Sequence, residues 1–341
     1  MSKIVYLIGA GASYGKRDVD NNIIEGLPII EEICNRFSAI GGYFKDIKKL
    51  FPLVKWDDSQ LSDDDKKREA IRDEIYTGLE WLKREGNRHS SIDTFAKKLW
   101  FQHNWDDYKK LKRLLSFYFL VEQIKSKPDR RYDAFLASTL SDIGHLPEEI
   151  TIVSWNYDSQ FEISYDEYRD YKELDMLHKY DTNETILDYP ARLYKINGSA
   201  SFREGDVCEF KSKYNFEGEQ APSAELYDEL ITIYAKSGLS KRETNLSFAW
   251  EDTKYGDRLL AKLCPQIENA EVLIIIGYSF PFFNRIIDRR IINSMTKLKT
   301  AYFQDLNPET IMSRFNAINQ NENIARIPQK DIGQFFLPPE L

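Results

Sequence analysis

The sequence lacks the features that mark membrane proteins and metal-dependent proteins. Its 341 residues contain no run of about 18 apolar residues, the length that an α-helix needs to cross a bilayer. Cys34, Cys208 and Cys264 lie far apart and form no CxxC pair, and the four histidines show no HxxxH spacing. We therefore expect no zinc or other metal site, no disulfide framework, no membrane contact and a cytoplasmic location.

A basic surface is also missing. The chain has 47 lysines and arginines against 55 aspartates and glutamates, which gives a net charge of -8. Proteins that bind nucleic acids directly need a concentration of positive charge that neutralises phosphates. We therefore expect no direct binding of nucleic acid.

Short apolar runs are what the sequence does contain, and they indicate buried strands. These runs are rich in β-branched residues and show little alternation, which is typical of parallel strands covered on both faces. The predicted fold class is therefore α/β, with helices on both faces of a parallel sheet. The predicted strands are Lys3–Ile8, Ile150–Ser154, Arg192–Ile196, Val272–Ile276 and Thr300–Phe303.

The long segment between the first two predicted strands has a helical pattern. Its apolar residues recur at helical spacing, beginning after Pro28, a residue favoured in the first turn of a helix. We predict that residues 31–144 form an inserted helical module. Residues 1–30 and 145–341 would then form the sheet domain.

A glycine-rich turn follows the first predicted strand, with the sequence Gly9, Ala10, Gly11, Ala12, Ser13. Glycines allow the backbone to turn sharply and allow its amides to approach a pyrophosphate. The usual dinucleotide fingerprint requires a third glycine or alanine where this chain has Tyr14, which disfavours an ordinary hydride-transferring site. A tight turn without a ligand is the alternative interpretation.

Polar or glycine residues follow the other predicted strands as well. They are Asn156 and Asp158 after the second strand, Asn197 after the third, Gly277 after the fourth and Asn307 after the fifth. Because ligands of open α/β sheets bind beyond the carboxyl ends of strands, these residues together predict one nucleotide-sized site. For Asp158, capping of the following helix is an equally good interpretation.

In their order along the chain, these motifs resemble the sirtuin-like NAD-consuming domains of prokaryotic antiphage defence systems. The resemblance covers most of the chain. The matching motifs are GAGAS (Gly9–Ser13), GLP (Gly26–Pro28), SIDTF (Ser91–Phe95), SWNYD (Ser154–Asp158), KINGS (Lys195–Ser199), IIGYSFP (Ile275–Pro281) and DLNP (Asp305–Pro308).

The resemblance implies a Rossmann-like sheet that binds NAD as its substrate. The bond between nicotinamide and ribose would be cleaved, which releases nicotinamide and ADP-ribose. The resemblance places the pyrophosphate on residues 9–13. It assigns Gly277, Tyr278 and Ser279 to the adenosine half, Asn307 to the adenosine ribose and Asn156 to the nicotinamide ribose.

The resemblance also implies a catalytic set and a biological role. Asn156, Asn197 and Asp158 are the expected catalytic positions, and Asp93 of the SIDTF motif is expected among the NAD-binding residues. The protein would deplete NAD during phage infection. Such an effector has to be restrained, and we expect restraint by homo-oligomerisation or by a partner such as a nucleic-acid-handling ATPase.

Asn197 departs from the family pattern, which has a histidine base at this position. An amide does not accept a proton at neutral pH, although it orients water by hydrogen bonds. Asp158 and Asp93 are the nearest alternative bases, ahead of His89 and His178. A catalytically silent module that binds NAD or ADP-ribose is the alternative function, and a scaffold with a vestigial cleft is the third. The four-cysteine zinc module of protein-deacylating sirtuins is absent, which disfavours deacylation.

Overall fold

The structure is a computed structural model. It describes residues 3–45, 63–140, 145–168, 186–187, 192–202, 213–214, 222–238, 244–248, 250–251, 253–319 and 321–341. Cys208 and His178, which were considered in the sequence analysis, lie outside these residues.

Strands and helices alternate along much of the described chain. The strands are β1 (Ile4–Ile8), β2 (Lys16–Arg17), β3 (Ile23–Glu25), β4 (Ile150–Ser154), β5 (Ile186–Leu187), β6 (Leu193–Lys195), β7 (Val272–Ile276), β8 (Thr300–Gln304) and β9 (Ala325–Gln329). The helices are α1 (Ile30–Lys45), α2 (Asp63–Arg88), α3 (Ile92–Phe101), α4 (Trp105–Lys125), α5 (Arg130–Thr139), α6 (Gln160–Asp166), α7 (Ala224–Ser237), α8 (Thr253–Ile267), α9 (Arg285–Ser294) and α10 (Pro308–Asn316).

The main sheet confirms the predicted α/β fold with a Rossmann-like parallel sheet. Its strands lie in the order β5-β6-β4-β1-β7-β8-β9, and all neighbours pair in parallel except β5 and β6. Counted along the chain, the six parallel strands have the order 3-2-1-4-5-6, which is that of the Rossmann fold. The order reverses between β1 and β7, so a crevice for a ligand is expected where these two strands end.

The five predicted strands agree with the structure to within one or two residues, but β9 was not predicted. Its sequence, ARIPQ, is polar and partly exposed and contains Pro328. Proline is tolerated there because β9 lies at the edge of the sheet and pairs on one side with β8. Edge strands lack the continuous apolar pattern that marks the central ones.

Both faces of the sheet are covered, as the apolar strands predicted. One face packs against α8, α9 and α10 through buried residues such as Leu263, Ile291 and Phe315. The other face packs against α5 and α6 through residues such as Phe135 and Phe161. Alternate residues of each strand therefore enter two different apolar layers.

The chain divides into two compact units. The sheet unit consists of Met1–Gly26, Pro128–Ser199 and Ser247–Leu341. The helical unit consists of Leu27–Lys127 and Ala200–Leu246. Relative to the boundaries expected from the sequence, α5 lies in the sheet unit, and α7 lies in the helical unit.

Each unit has its own apolar interior, which explains this division. In the sheet unit, Tyr132, Phe135 and Leu136 of α5 pack with the strands. In the helical unit, Phe44 of α1 stacks on Tyr227 of α7 with ring centroids 5.4 Å apart. No helix among the described residues is both long and apolar enough to span a bilayer.

Candidate functional site

The glycine turns after β1 and β7 touch each other where the strand order reverses. The amide of Gly11 donates to the carbonyl oxygen of Gly277 at 3.0 Å. A Cβ on Gly277, whose φ is +58°, would lie 2.5 Å from the backbone nitrogen of Ala12. A Cβ on Gly9 would lie 2.7 Å from the carbonyl oxygen of Gly277. Glycine is therefore required at this edge because two backbones approach each other closely.

Three of the amides predicted to hold a pyrophosphate already donate to protein carbonyls. Gly9 donates to Ile276, Gly11 to Gly277 and Ala12 to Gly9, at 3.0, 3.0 and 2.9 Å. Ala10 is the exposed residue of the turn, which forms a short 3₁₀ helix. A ligand phosphate at this turn would therefore bind next to Ala10 and would not be held by those three amides.

Arg131 also binds the same turn, and no local pattern in the sequence predicted this role. Its guanidinium donates to the carbonyl oxygens of Gly11 and Ala12 at 2.9 and 3.3 Å and pairs with Asp129 at 2.5 Å. Asp129 also accepts the amide of Gly15 at 2.8 Å. These bonds fix the carbonyls of Gly11 and Ala12 and the amide of Gly15, which holds the turn in one conformation.

Ser13 joins two of the strand-end motifs in one hydrogen-bonded cluster. Its hydroxyl donates to Oδ1 of Asp158 at 3.1 Å and accepts Nδ2 of Asn156 at 3.0 Å. The hydroxyl of Tyr132, from α5, lies 3.0 Å from the same oxygen. We call Ser13, Asn156, Asp158 and Tyr132 the Ser13 cluster. All four side chains are buried.

Of the two roles that the sequence left open for Asp158, the structure shows the one at the start of the helix. Its Oδ1 accepts the amide of Gln160, the first residue of α6, at 3.1 Å. The same oxygen accepts the hydroxyl of Ser13. The side chain of Gln160 supports this arrangement, because its Oε1 accepts the amide of Asp129 at 2.8 Å.

A buried lysine sets the charge of this region. Nζ of Lys195 lies 2.8 Å from Oε1 of Glu162 and also donates to the carbonyl oxygen of Asp158. Burial raises the pKa of Asp158, and the positive charge of Lys195 opposes that rise. Glu162 is affected in the same way. The single positive charge of Lys195 thus acts on two buried carboxyl groups, those of Asp158 and Glu162.

The side chain of Asn197 forms a hydrogen bond to the backbone next to Asn156 of the Ser13 cluster. Its Nδ2 donates to the carbonyl oxygen of Trp155, the residue before Asn156, at 3.0 Å. The backbone oxygen of Asn197 accepts the amide of Ser247 at 2.9 Å. Asn197 therefore orients the end of β4, and its side chain has no titratable group that would act as a base.

Within the sheet unit, not every predicted residue belongs to the Ser13 cluster. The Tyr278 ring packs into the core, so a ligand would meet its backbone. Ser279 is exposed, and its carbonyl oxygen accepts Arg314. Asn307 is exposed at the start of α10, and its backbone bonds are local. Asp93 is buried in the first turn of α3, in the helical unit.

Chemically, the Ser13 cluster offers one carboxyl group, one carboxamide and two hydroxyls beside a glycine turn. A carboxyl group whose pKa is raised by burial suits proton transfer near neutral pH, and a carboxamide suits a ribose hydroxyl. Among the described residues, no group of three or more histidine, cysteine, aspartate or glutamate side chains is placed to hold a metal ion. No protein-family model matches the chain, and no curated protein shows significant similarity to it.

Proposed function

We propose that the sheet unit binds NAD+ where β1, β4 and β7 end and hydrolyses the bond between nicotinamide and ribose. The products are nicotinamide and ADP-ribose. The observation that carries the proposal is the position of the Ser13 cluster, which joins the ends of β1 and β4 next to the reversal of a sheet with the Rossmann strand order. Depletion of NAD in antiphage defence is the role that fits this activity.

Asn156 and Asp158 have complementary parts in this reaction. The carboxamide of Asn156 binds a hydroxyl of the nicotinamide ribose. As the carbon–nitrogen bond breaks, its electron pair stays with nicotinamide and positive charge develops on the ribose. Asp158 in its ionised form stabilises that charge and accepts a proton from the attacking water. Burial brings the pKa of Asp158 closer to neutrality, which favours this role.

The proposal is tested by incubating the purified protein with NAD+ and measuring nicotinamide by chromatography. We expect release by the unchanged protein and a loss of about 100- to 10,000-fold in Asp158→Asn, since that is the usual contribution of a general base. Asparagine keeps the cap of α6, so folding should survive. Asp106→Asn, an exposed substitution in α4, is the matched control and should keep full activity.

Two results would contradict the proposal. Asp158→Asn could release nicotinamide as fast as the unchanged protein, which would exclude Asp158 as the base. The unchanged protein could also show neither release nor binding of NAD+ by calorimetry, which would exclude an NAD site at this edge.

A catalytically silent module that binds NAD or ADP-ribose is the second candidate function. The bond from Asn197 to the carbonyl of Trp155 favours it, because it gives Asn197 a structural role where the resembling family has a base. Binding by calorimetry without release of nicotinamide would select this function. Release that appears only in Asn197→His would select it as well.

An NAD-consuming protein has to be restrained in the cell, since loss of NAD is lethal. Self-association or a regulatory partner, such as a nucleic-acid-handling ATPase, therefore belongs to the proposal. A cytoplasmic location belongs to it for the same reason, because the substrate pool is there. These points depend on the resemblance of the motifs and not on any contact in the structure.

A further inference from the structure

A second buried carboxyl group lies on the β7 side of the same edge. Asp288, in the first turn of α9, is 1% exposed. The phenol of Tyr278 donates to its two oxygens, at 3.0 Å from Oδ1 and 3.1 Å from Oδ2. Asn284 donates to the same phenol oxygen at 3.1 Å. The hydroxyl of Tyr278 is therefore held from two sides.

The ring of Tyr278 contacts Trp155, the residue that follows β4. It stacks on Trp155 with centroids 5.3 Å apart and planes inclined by 5°. Within the described part of the chain, the indole nitrogen of Trp155 is buried and has no hydrogen-bond partner. The position of the indole ring therefore depends on packing, and Tyr278 packs against one of its faces.

Trp155 in turn connects to the proposed catalytic residues. Its carbonyl oxygen accepts the side-chain Nδ2 of Asn197 at 3.0 Å, and the side chain of the next residue, Asn156, donates to Ser13 at 3.0 Å. A continuous set of contacts thus runs from α9 through two aromatic rings to the end of β4. Asp288 touches neither the Ser13 cluster nor the glycine turn after β1.

We propose that Asp288 is a positioning residue, which fixes Trp155 through Tyr278 and so keeps Asn156 and Asn197 in place. That it serves NAD hydrolysis rests on the function proposed above. That it positions Trp155 does not, because the contacts are internal to the protein. The two statements are therefore tested separately.

Because Asp288 can change its charge with pH, the proposal is testable by titration. Burial raises the pKa of Asp288 to about 8, so the carboxyl group is neutral at pH 7 and ionises in mild alkali. Tyr278 is the titratable group that faces it, and no charged side chain of the described residues acts on it. Arg285 and Arg289 donate to the carbonyl oxygen of Ala317, Arg314 donates to the carbonyl oxygen of Ser279, and Arg258 of α8 is exposed.

The first test follows the indole N–H of Trp155 by nuclear magnetic resonance without any ligand. The chain has six tryptophans, and the Trp155 signal is the one that disappears in Trp155→Phe. We expect its chemical shift to titrate between about pH 6 and about pH 9, as a carboxyl group in contact with Tyr278 ionises. The titration should vanish in Asp288→Asn, which stays neutral, and remain in Asp305→Asn, an exchange of a more accessible aspartate.

The second test measures turnover of NAD+. Asp288→Leu removes the acceptor of the phenol and should lower kcat by about 10- to 100-fold with little change in KM, because misplacement affects the reaction step more than binding. Asp288→Asn keeps an acceptor. It should keep kcat at neutral pH. In mild alkali, where Asp288 ionises, we expect kcat to fall in the unchanged protein and to stay level in Asp288→Asn.

The outcomes separate the two proposals. If no variant turns over NAD+ while the Trp155 titration appears and depends on Asp288, the proposed function fails and the positioning role stands. If Asp288→Asn titrates like the unchanged protein, or Asp288→Leu leaves both the Trp155 signal and kcat unchanged, the positioning role is overturned.

Discussion

Two buried aspartates at the same edge of the sheet are stabilised in different ways. Asp158, at the end of β4, accepts a serine hydroxyl and a backbone amide and lies near Lys195. Asp288, beyond β7, accepts the phenol of Tyr278 and has no cationic partner among the described residues. Burial raises the pKa of both, but only at Asp158 does a positive charge oppose the rise.

The difference shows how the same residue type acquires separate roles. A carboxyl group near an ammonium group is able to ionise while buried, so Asp158 is suited to proton transfer and to stabilising positive charge. A carboxyl group without a cation stays neutral at pH 7, so Asp288 acts through hydrogen bonding and packing. Asp158 and Asp288 therefore differ in the group that lies next to each carboxyl and not in how deeply the carboxyl is buried.

Replacing Lys195 should have the largest effect, because it makes the β4 side resemble the β7 side. Lys195→Met leaves Asp158 and Glu162 buried without a cation, which typically costs about 3–5 kcal/mol. Their pKa values should rise further, so the protein takes up protons on folding and loses stability as the pH increases. Urea unfolding should therefore show a larger loss at about pH 8 than at about pH 5.

An exposed ion pair provides the matched control. Lys299 lies 2.8 Å from Glu271, the same distance as Lys195 from Glu162, but the side chains are 67% and 47% exposed instead of 4% and 10%. Lys299→Met should cost less than about 1 kcal/mol, with little dependence on pH. Equal losses in the two variants would show that burial of the Lys195 pair has no energetic consequence.

The second-largest effect should come from disturbing the backbone contact between the glycine turns that follow β1 and β7. Gly277→Ala places a Cβ 2.5 Å from backbone atoms of Gly11 and Ala12 and forces a non-glycine residue to φ +58°. We expect a loss of about 2–3 kcal/mol in the free energy of unfolding and weaker binding of NAD+.

Gly42→Ala is the corresponding control substitution. A Cβ at Gly42, in α1, would have no atom within 4 Å. Alanine is the better helix former, so this variant should gain about 1 kcal/mol. If Gly277→Ala were as stable as the unchanged protein, the two turns would not need their close contact.

Much of this edge was predictable from the sequence because parallel strands end at a common edge. The continuous apolar runs located β1, β4 and β7, and their polar ends placed Ser13, Asn156 and Asp158 together. Local patterns carried that information, since each residue lies within five positions of the end of its own strand.

The partners of these residues were not predictable. Tyr132 and Arg131 come from α5, which reaches the turn from more than a hundred positions along the chain. Asp288 lies in a helix whose sequence is that of an ordinary amphipathic surface helix. Such side chains are selected by tertiary packing, and one sequence alone contains no periodic signal for it.

At about pH 4, Asp288→Asn should have the smallest effect of these variants on stability, and the change of that effect with pH is the informative part. The pKa of Asp288 is about 8 in the folded protein, whereas the ordinary pKa of an aspartate is 3.8. Between these two pH values, unfolding therefore releases a proton from Asp288. The unchanged protein should lose stability from this group as the pH rises through that window, and Asp288→Asn should not.

The stability of the variant relative to the unchanged protein should therefore increase from about pH 4 to about pH 8 and then stay level. Asp158 and Glu162 titrate in both proteins, so their contributions cancel in the difference between the two urea midpoints. A difference that stays constant with pH would mean that Asp288 ionises normally. The two aspartates would then not differ in the way that their partners predict.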